Sequence, residues 1–311
     1  MEQVLALTIP FFAVAGLGYA ASAAGMMGGN AVRSLNVFVF YFAMPALMVG
    51  AIARKPFDEL IEPAFFAGYT GSGLFLFVVA AVLGRLLFRL TPGEATVMGQ
   101  ASVISNSGYL GVPLAIAAFG DWAVAPVALA MIGDFIVIAP LTLAVLEASR
   151  GGASSAGRGI LRALKGLALN PFVISIVIGL GISASGLGFT GVTERFVSFL
   201  AGAAGPAALF ALGASLYGRP MAEGLVPVTV VTVLKLFAHP ALVYVALSNA
   251  PGVPDEWVAV GVLVAALPIA GNVFVIAENY AIFSRRVSSA ILFTTALAAV
   301  TVAGTLALFQ N

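Results

Sequence analysis

Residues 106–113 read NSGYLGVP. Asn106, Ser107, Gly108, Gly111 and Pro113 all weaken a helix, yet more than ten mostly apolar residues flank the stretch on each side. Proline removes a backbone donor and crowds the preceding turn, and glycine releases the chain from helical geometry. In hydrocarbon the stranded amides and carbonyls find no water, so such backbone has to line a cavity or lie buried in protein. A break at this place therefore asks for a purpose.

The surrounding composition is that of an integral membrane protein. Of 311 residues, 61% are hydrophobic and 9% charged, with a mean hydropathy of +1.09; soluble domains carry about 25% charged residues. The net charge of +1 gives no basic field for nucleic acid. With no cysteine and a single histidine, His239, disulfides, thiolate metal sites and histidine metal clusters are excluded. No metal and no cofactor are expected. The N-terminal stretch MEQVLALTIPFFAVAGLGYAASAAG lacks a charged leader region and is expected to be a retained first helix.

Apolar stretches of about 20 residues predict ten spans, at 5–25, 34–53, 63–88, 94–119, 122–147, 168–188, 195–217, 224–248, 256–281 and 287–309. The long polar break RGGASSAGRGILRALKG, 150–166, reads as a basic Gly/Ser-rich cytoplasmic linker between residues 1–149 and 167–311. With the N-terminus outside, the inner loops hold Arg33, Arg85, Arg89, Arg150, Arg158, Arg162, Lys165, Arg219, Arg285 and Arg286. The outer loops hold only Arg54, Lys55 and Arg195. Positive residues favour the inside, so both termini are expected on the outer side of a bacterial inner (plasma) membrane.

A fixed offset of 161 residues lays the first half on the second. Pro10-Phe11 meets Pro171-Phe172, Gly18 meets Gly179, Ser22 meets Ser183 and Gly25 meets Gly186. Phe38 meets Phe199, Pro45-Ala46 meets Pro206-Ala207, Glu94 meets Asp255, Val112 meets Val273 and Phe119 meets Tyr280. Each unit holds five spans, so the second copy is inverted, as in secondary transporters whose sites lie where discontinuous helices meet. The same offset carries NSGYLGVP onto LPIAGNVF, 267–274, which also breaks helix at Pro268, Gly271 and Asn272. The fold class expected is all-α, with two inverted five-helix repeats and crossed, broken spans four and nine. Half-helix N-termini converging there would favour an anion.

Polar residues inside spans mark pathways or partners by default. Asn106 and Asn272 either offer side-chain amides to a carboxylate or cap the half-helices. Tyr109 is a ligand contact or a packed aromatic, and Gly111, Pro113, Pro268 and Gly271, which shape the two breaks, are expected with Asn106, Tyr109 and Asn272 to form the substrate-binding site. Gln100, nearly two turns before Asn106, is expected to face the same cavity. Asp134 in span five and Lys235 in span eight are expected to pair, with Asp134 taking up a proton or sodium ion. Lys235 either alternates as its partner or faces the anion, or the two form a static salt bridge between spans five and eight. His239 shares a helix face with Lys235 and is an interfacial histidine or a proton relay; Gln100, Lys235 and His239 are grouped with Asp134 as ion-coupling residues. Glu278 and Asn279 close the second broken helix, and Glu94 and Asp255 begin spans four and nine, where acids suit helix N-termini.

These motifs resemble the auxin efflux carrier (AEC) family, whose plant members are the PIN auxin exporters. The resemblance rests on SNSGYLGVPLAIAAFG (105–120) and AALPIAGNVFVIAENY (265–280), supported by LKLFAHPAL (234–242) and YFAMPAL (41–47). It covers the chain apart from the linker, whose shortness is similar to bacterial members. It implies a scaffold and dimer face from spans 1, 2, 6 and 7, and a moving transport unit from spans 3–5 and 8–10. It also implies small organic anions as substrates, auxin in plants and carboxylates such as malate or malonate in bacteria. Plant-type second motifs carry Gln and Gly where this chain has Ile269 and Ala270, which speaks against auxin.

Three rivals are weighed against this reading. An intramembrane enzyme lacks an HExxH motif and a second mid-span Asp for an aspartyl dyad. A channel would need continuous polar lining along several spans. A monovalent cation/proton antiporter on the same plan would use Asp134 as its ion site, but the two asparagines and opposed helix N-termini suit an anion better. The reading is a secondary active carrier of small organic anions, working as a homodimer by rigid-body, elevator-type movement of the transport unit.

Overall fold

Helix accounts for nearly every described segment, and one antiparallel bridge, Ser105 to Ile269, is the sole β pairing among the described residues. The structure is a computed structural model and describes residues 2–151, 156–186, 188–219 and 225–309. Residues 152–155 of the expected linker and 224, the expected start of span eight, lie outside them. The helices are α1 (Glu2–Ala23), α2 (Gly29–Ala53), α3 (Pro63–Phe88), α4 (Pro92–Ala101), α5 (Ser107–Phe119) and α6 (Asp121–Arg150). They continue as α7 (Ala156–Ala168), α8 (Pro171–Ser185), α9 (Gly191–Leu216), α10 (Val226–Ser248), α11 (Asp255–Ala266), α12 (Gly271–Asn279) and α13 (Ser284–Phe309).

Among the described residues, seven helices are long and apolar enough to cross a membrane, or eight with the bent pair α7 and α8, which turn by 56°. The stretches expected as spans four and nine are two helices each, α4/α5 and α11/α12, and no single piece is long enough to cross. Thr91 and Glu94 close a capping box on α4, Thr91 N donating to Glu94 Oε2 at 2.9 Å. Asp255 opens α11 without a side-chain cap.

Four prolines explain the irregular turns. Each of the five-residue π turns Val39–Ala43, Ser107–Gly111, Asp134–Ile138 and Leu234–Ala238 ends two residues before a proline, namely Pro45, Pro113, Pro140 and Pro240. A proline cannot donate and its ring displaces the carbonyl four residues back. The residue just ahead of it (Met44, Val112, Ala139 or His239) then donates to the carbonyl five back, widening the turn. Asp134 and Lys235 both lie in such turns.

Glycines let α1 and α9 approach backbone to backbone. A Cβ added at Gly213 would lie 1.7 Å from Ala15 O, and one at Gly18 would lie 2.0 Å from Phe210 O. Such small-residue contacts are how apolar helices associate where no hydrophobic drive separates protein from lipid. Gly179 of α8 packs on Ile52 of α2 in the same way. A second set of helices, α3, α4, α6 and α10 to α13, packs around the two breaks.

Two local expectations change. NSGYLGVP is not itself the break: the chain leaves helix at Ser102–Asn106, and Ser107 already starts α5. The second break, 267–270, lies within the 267–274 stretch given by the fixed offset, and Gly271 already starts α12. The stretch expected as a linker holds a helix. Residues 156–168 form α7, with Ala163 buried and Arg158 and Lys165 exposed, and Gly159 sits directly against Leu143 O. Its Arg162 pairs with Glu147 of α6 and donates to Tyr280 Oη at 3.0 Å.

Gly213→Leu is expected to strain the α1/α9 contact, since overpacking costs about 1–3 kcal/mol, whereas Gly16→Leu on the open side of α1, with nothing within 4 Å, should cost little. Thermal unfolding in detergent should show a lower midpoint for the first alone.

Candidate functional site

The two breaks cross and bond to one another. Asn106 N donates to Pro268 O at 2.8 Å, and Ala270 N donates to Ile104 O at 3.3 Å. Ile269 N donates to the Thr294 hydroxyl of α13 at 3.2 Å. Ser102 N reaches Met98 O and Ile104 N reaches Gln100 O, at 3.1 and 3.0 Å. The unwound amides are thus satisfied within protein, as low-dielectric surroundings require.

The crossing brings together two helix beginnings, α5 and α12, and two helix ends, α4 and α11. Beginnings carry about half a positive charge and ends about half a negative one. Lys235 answers one of the ends: its buried ammonium donates to Ala265 O in the last turn of α11 and to Ser105 Oγ of the first break at 2.9 Å. His239 Nδ1 stands 3.4 Å from the same nitrogen, while its Nε2 has no partner among the described residues. With the end of α11 covered, the positive helix beginnings outweigh the remaining end at the crossing.

Beside it lies a cavity of about 430 Å³, within the usual range of roughly 300–1,000 Å³ for small-ligand sites. Of the residues expected at the site, Asn106, Tyr109, Gly271, Asn272, Gln100 and Asp134 line it. Asn106 ends the first break and Asn272 sits in the first turn of α12; the Asn106 side chain makes no capping bond. Both amides are therefore placed at helix beginnings that open on one space. Tyr109 Oη donates to Asn36 O at 3.5 Å across the cavity.

The other expected residues do not line the cavity. Gly111 packs under Leu267, where a Cβ would come within 2.8 Å of its side chain. Pro268 contributes its carbonyl to the crossing. Pro113 faces Gly205 and lines a separate, apolar recess. Lys235 and His239 lie behind the crossing, 0% and 1% exposed. The expected pairing of Asp134 with Lys235 is not a direct ion pair: no contact within 4.0 Å joins them, the ammonium bonding the end of α11 instead, although the two charges still act on one another across the gap. Asp134, 9% exposed, borders the cavity and accepts no hydrogen bond from a described residue. Gln100 Oε1, on the same cavity, and Thr70 Oγ1, packed on Gly133, are buried without partners among the described residues.

Several lining residues were not singled out by sequence: Asn36, Ser105, Ser107, Asn170, Ser215 and Arg219. Asn170 caps α8, accepting from Phe172 N at 2.9 Å. Arg219 follows α9 and reads in sequence as an inner-loop charge. In the structure it turns back, Nε donating to Ser215 O at 2.9 Å and Cζ lying 5.2 Å from the Phe274 ring centre. Burial draws its guanidinium below the ordinary arginine pKa, and it stays charged regardless.

A family of membrane transport proteins matches this chain over residues 3–306, and the chain belongs to that family, the one that includes the auxin efflux carriers. It is a multi-pass membrane transporter and not an enzyme. It is 35% identical to a protein of Rhizobium meliloti (strain 1021) named "Putative malonate transporter", over 100% of this chain and 97% of that one. It is also 26% identical to an "Uncharacterized transporter" of Methanothermobacter thermautotrophicus, over 91% of each.

Lys235→Met should leave Ala265 O and Ser105 Oγ unpaired and lower stability by about 1–3 kcal/mol. Asp134→Asn should change it little, since no ion pair is lost. Equal losses in the two melting curves would instead mean a coupled pair.

Proposed function

We propose that this chain is a secondary active carrier of small organic anions, carboxylates such as malonate or malate among them. The observation that carries the reading is the crossing itself. Two half-helix beginnings, each presenting an asparagine amide, open on one cavity, and Lys235 occupies the opposing helix end. A carboxylate placed there would accept from both amides and lie in a positive field. The name of the Rhizobium relative agrees with this class of cargo.

In the same reading, the interrupted pairs α4/α5 and α11/α12 are spans four and nine of ten, in two inverted repeats covering 1–149 and 167–311. Spans 1, 2, 6 and 7 form a scaffold and dimer face, and spans 3–5 and 8–10 move as a rigid body. The close packing of α1 on α9 and of α2 on α8 supports that grouping. The dimer, the outward termini and the bacterial inner membrane rest on the resemblance and on charge placement. Asn106, Tyr109, Gly271 and Asn272 contact the substrate, Gly111 and Pro268 hold the crossing, and Pro113 shapes the first turns of α5. Asp134, with Gln100 beside it, takes up a coupling proton or sodium ion, and Lys235 and His239 stand behind as its electrostatic frame. The unpaired polar atoms of Gln100 and Thr70 support coupling there. They also keep a second reading in view, a monovalent cation/proton antiporter with Asp134 as its ion site.

Proteoliposomes challenged in turn with malate, malonate, indole-acetate and sodium pulses, with and without a pH gradient, separate the two. A current evoked by a carboxylate is expected; a response to sodium and pH alone would give the function to the antiporter. Asn106→Ala and Asn272→Ala should each abolish carboxylate transport in protein that remains folded. Wild-type rates in both would remove the site assignment. Asp134→Asn should erase the dependence on pH or sodium, and an unchanged dependence would make Asp134 structural.

A further inference from the structure

Among the described residues that line the cavity, Arg219 is the single cation and Asp134 the single acid. No ion pair within 4.0 Å holds Arg219 to any described acid. Its simplest role is to cap the end of α9, where a cation is favoured, and the Nε bond to Ser215 O fits that role. The cap uses one of five N–H donors. Nη1 is buried and has no partner among the described residues. Leaving a charged donor so placed is costly, and capping does not require it.

The guanidinium is also held in place on the cavity side. The preceding Gly218, at φ +72°, reverses the chain, and the Phe274 ring lies under the cation at 5.2 Å, a favourable cation–π arrangement. Nη2 lies 3.9 Å from where a Cβ on Gly271 would stand. The fork thus faces the first turn of α12, one residue from Asn272. A cation and a helix beginning share that corner, and each attracts an anion. The absence of a side chain at Gly271 keeps the space between them open.

Resting on the anion-carrier reading, we propose that Arg219 receives the second carboxylate of a short dicarboxylate whose first carboxylate is held by Asn106 and Asn272. The cavity then selects dianions over monoanions. Arg219 follows α9 in the chain while its guanidinium sits beside the first turn of α12, so the dianion touches residues of both groups of helices.

The test compares malonate with acetate in proteoliposomes of wild-type protein, Arg219→Gln and Arg219→Lys. Wild type is expected to prefer malonate. Arg219→Gln should reduce the ratio of half-saturation concentrations, acetate over malonate, by at least about tenfold, the size expected for a lost charge-assisted contact. Maximal malonate flux should change less than its KM. Arg219→Lys keeps the charge without the fork and should shift the ratio by about threefold or more. It carries the test alone if Arg219→Gln does not fold. An unchanged ratio in the folded variants, or equal weakening of both anions, would overturn the proposal. So would a wild type that carries acetate and not malonate, while the anion reading stands. A wild type that carries no carboxylate removes both.

Discussion

The hydrogen bonds between the two unwound segments set the terms for the rest of the molecule. Asn106 N to Pro268 O and Ala270 N to Ile104 O let each break satisfy the other. Either break alone would strand amides in an apolar setting, at several kcal/mol each. Together they act as a short piece of antiparallel pairing inside a helical protein. That mutual dependence fixes where the helices turn, and it forces α5 and α12 to begin at one point. The cavity lies beside the crossing because the pairing holds the two beginnings apart from the ends.

Electrostatics follows from the same arrangement. Two beginnings and two ends at one crossing would largely cancel as dipoles. Lys235 breaks the balance by bonding the end of α11, and Ser105 in the first break shares it. Its position depends on a π turn enforced by Pro240, just as Asp134 depends on one enforced by Pro140. A proline that displaces a carbonyl also rotates the residues ahead of it, so the chain uses one device to aim two ionisable side chains. The lysine is directed behind the crossing and the aspartate toward the open side.

The all-helical membrane class, the two interruptions and the lining by Asn106, Asn272, Gln100 and Asp134 were legible because each leaves a local mark. Apolar length, helix-breaking residues and polar groups in hydrocarbon are all written in short windows of sequence. Three features were not legible for the same reason. Pairing Lys235 with Asp134 assumed that charge seeks charge, whereas a helix end eleven helices into the chain supplied the partner. Arg219 looked like an ordinary loop charge because nothing local tells that Gly218 turns it back over α9. The ordered α7 was hidden by its glycines, although Ile160, Leu164 and Arg158, Arg162, Lys165 already follow a helical period. Contacts across the fold decide these cases, and a window of sequence does not hold them.

The walls of the cavity have different origins, and that bears on how a carrier of this kind would work. Asn106, Gln100, Asp134 and Asn272 come from elements gathered around the crossing, while Asn36, Phe172, Ser215 and Arg219 come from α2, α8 and the end of α9. The second group belongs to helices locked together by the glycine contacts of α1 on α9 and α2 on α8. A ligand between the walls touches both, so any relative movement of the two groups changes its contacts. A ligand shifts such an equilibrium only by the difference in its contacts between the two arrangements. Under the proposed anion-carrier reading, the anion would be more than cargo: contacts made to the far wall in one arrangement and lost in the other would let its presence bias the proposed movement.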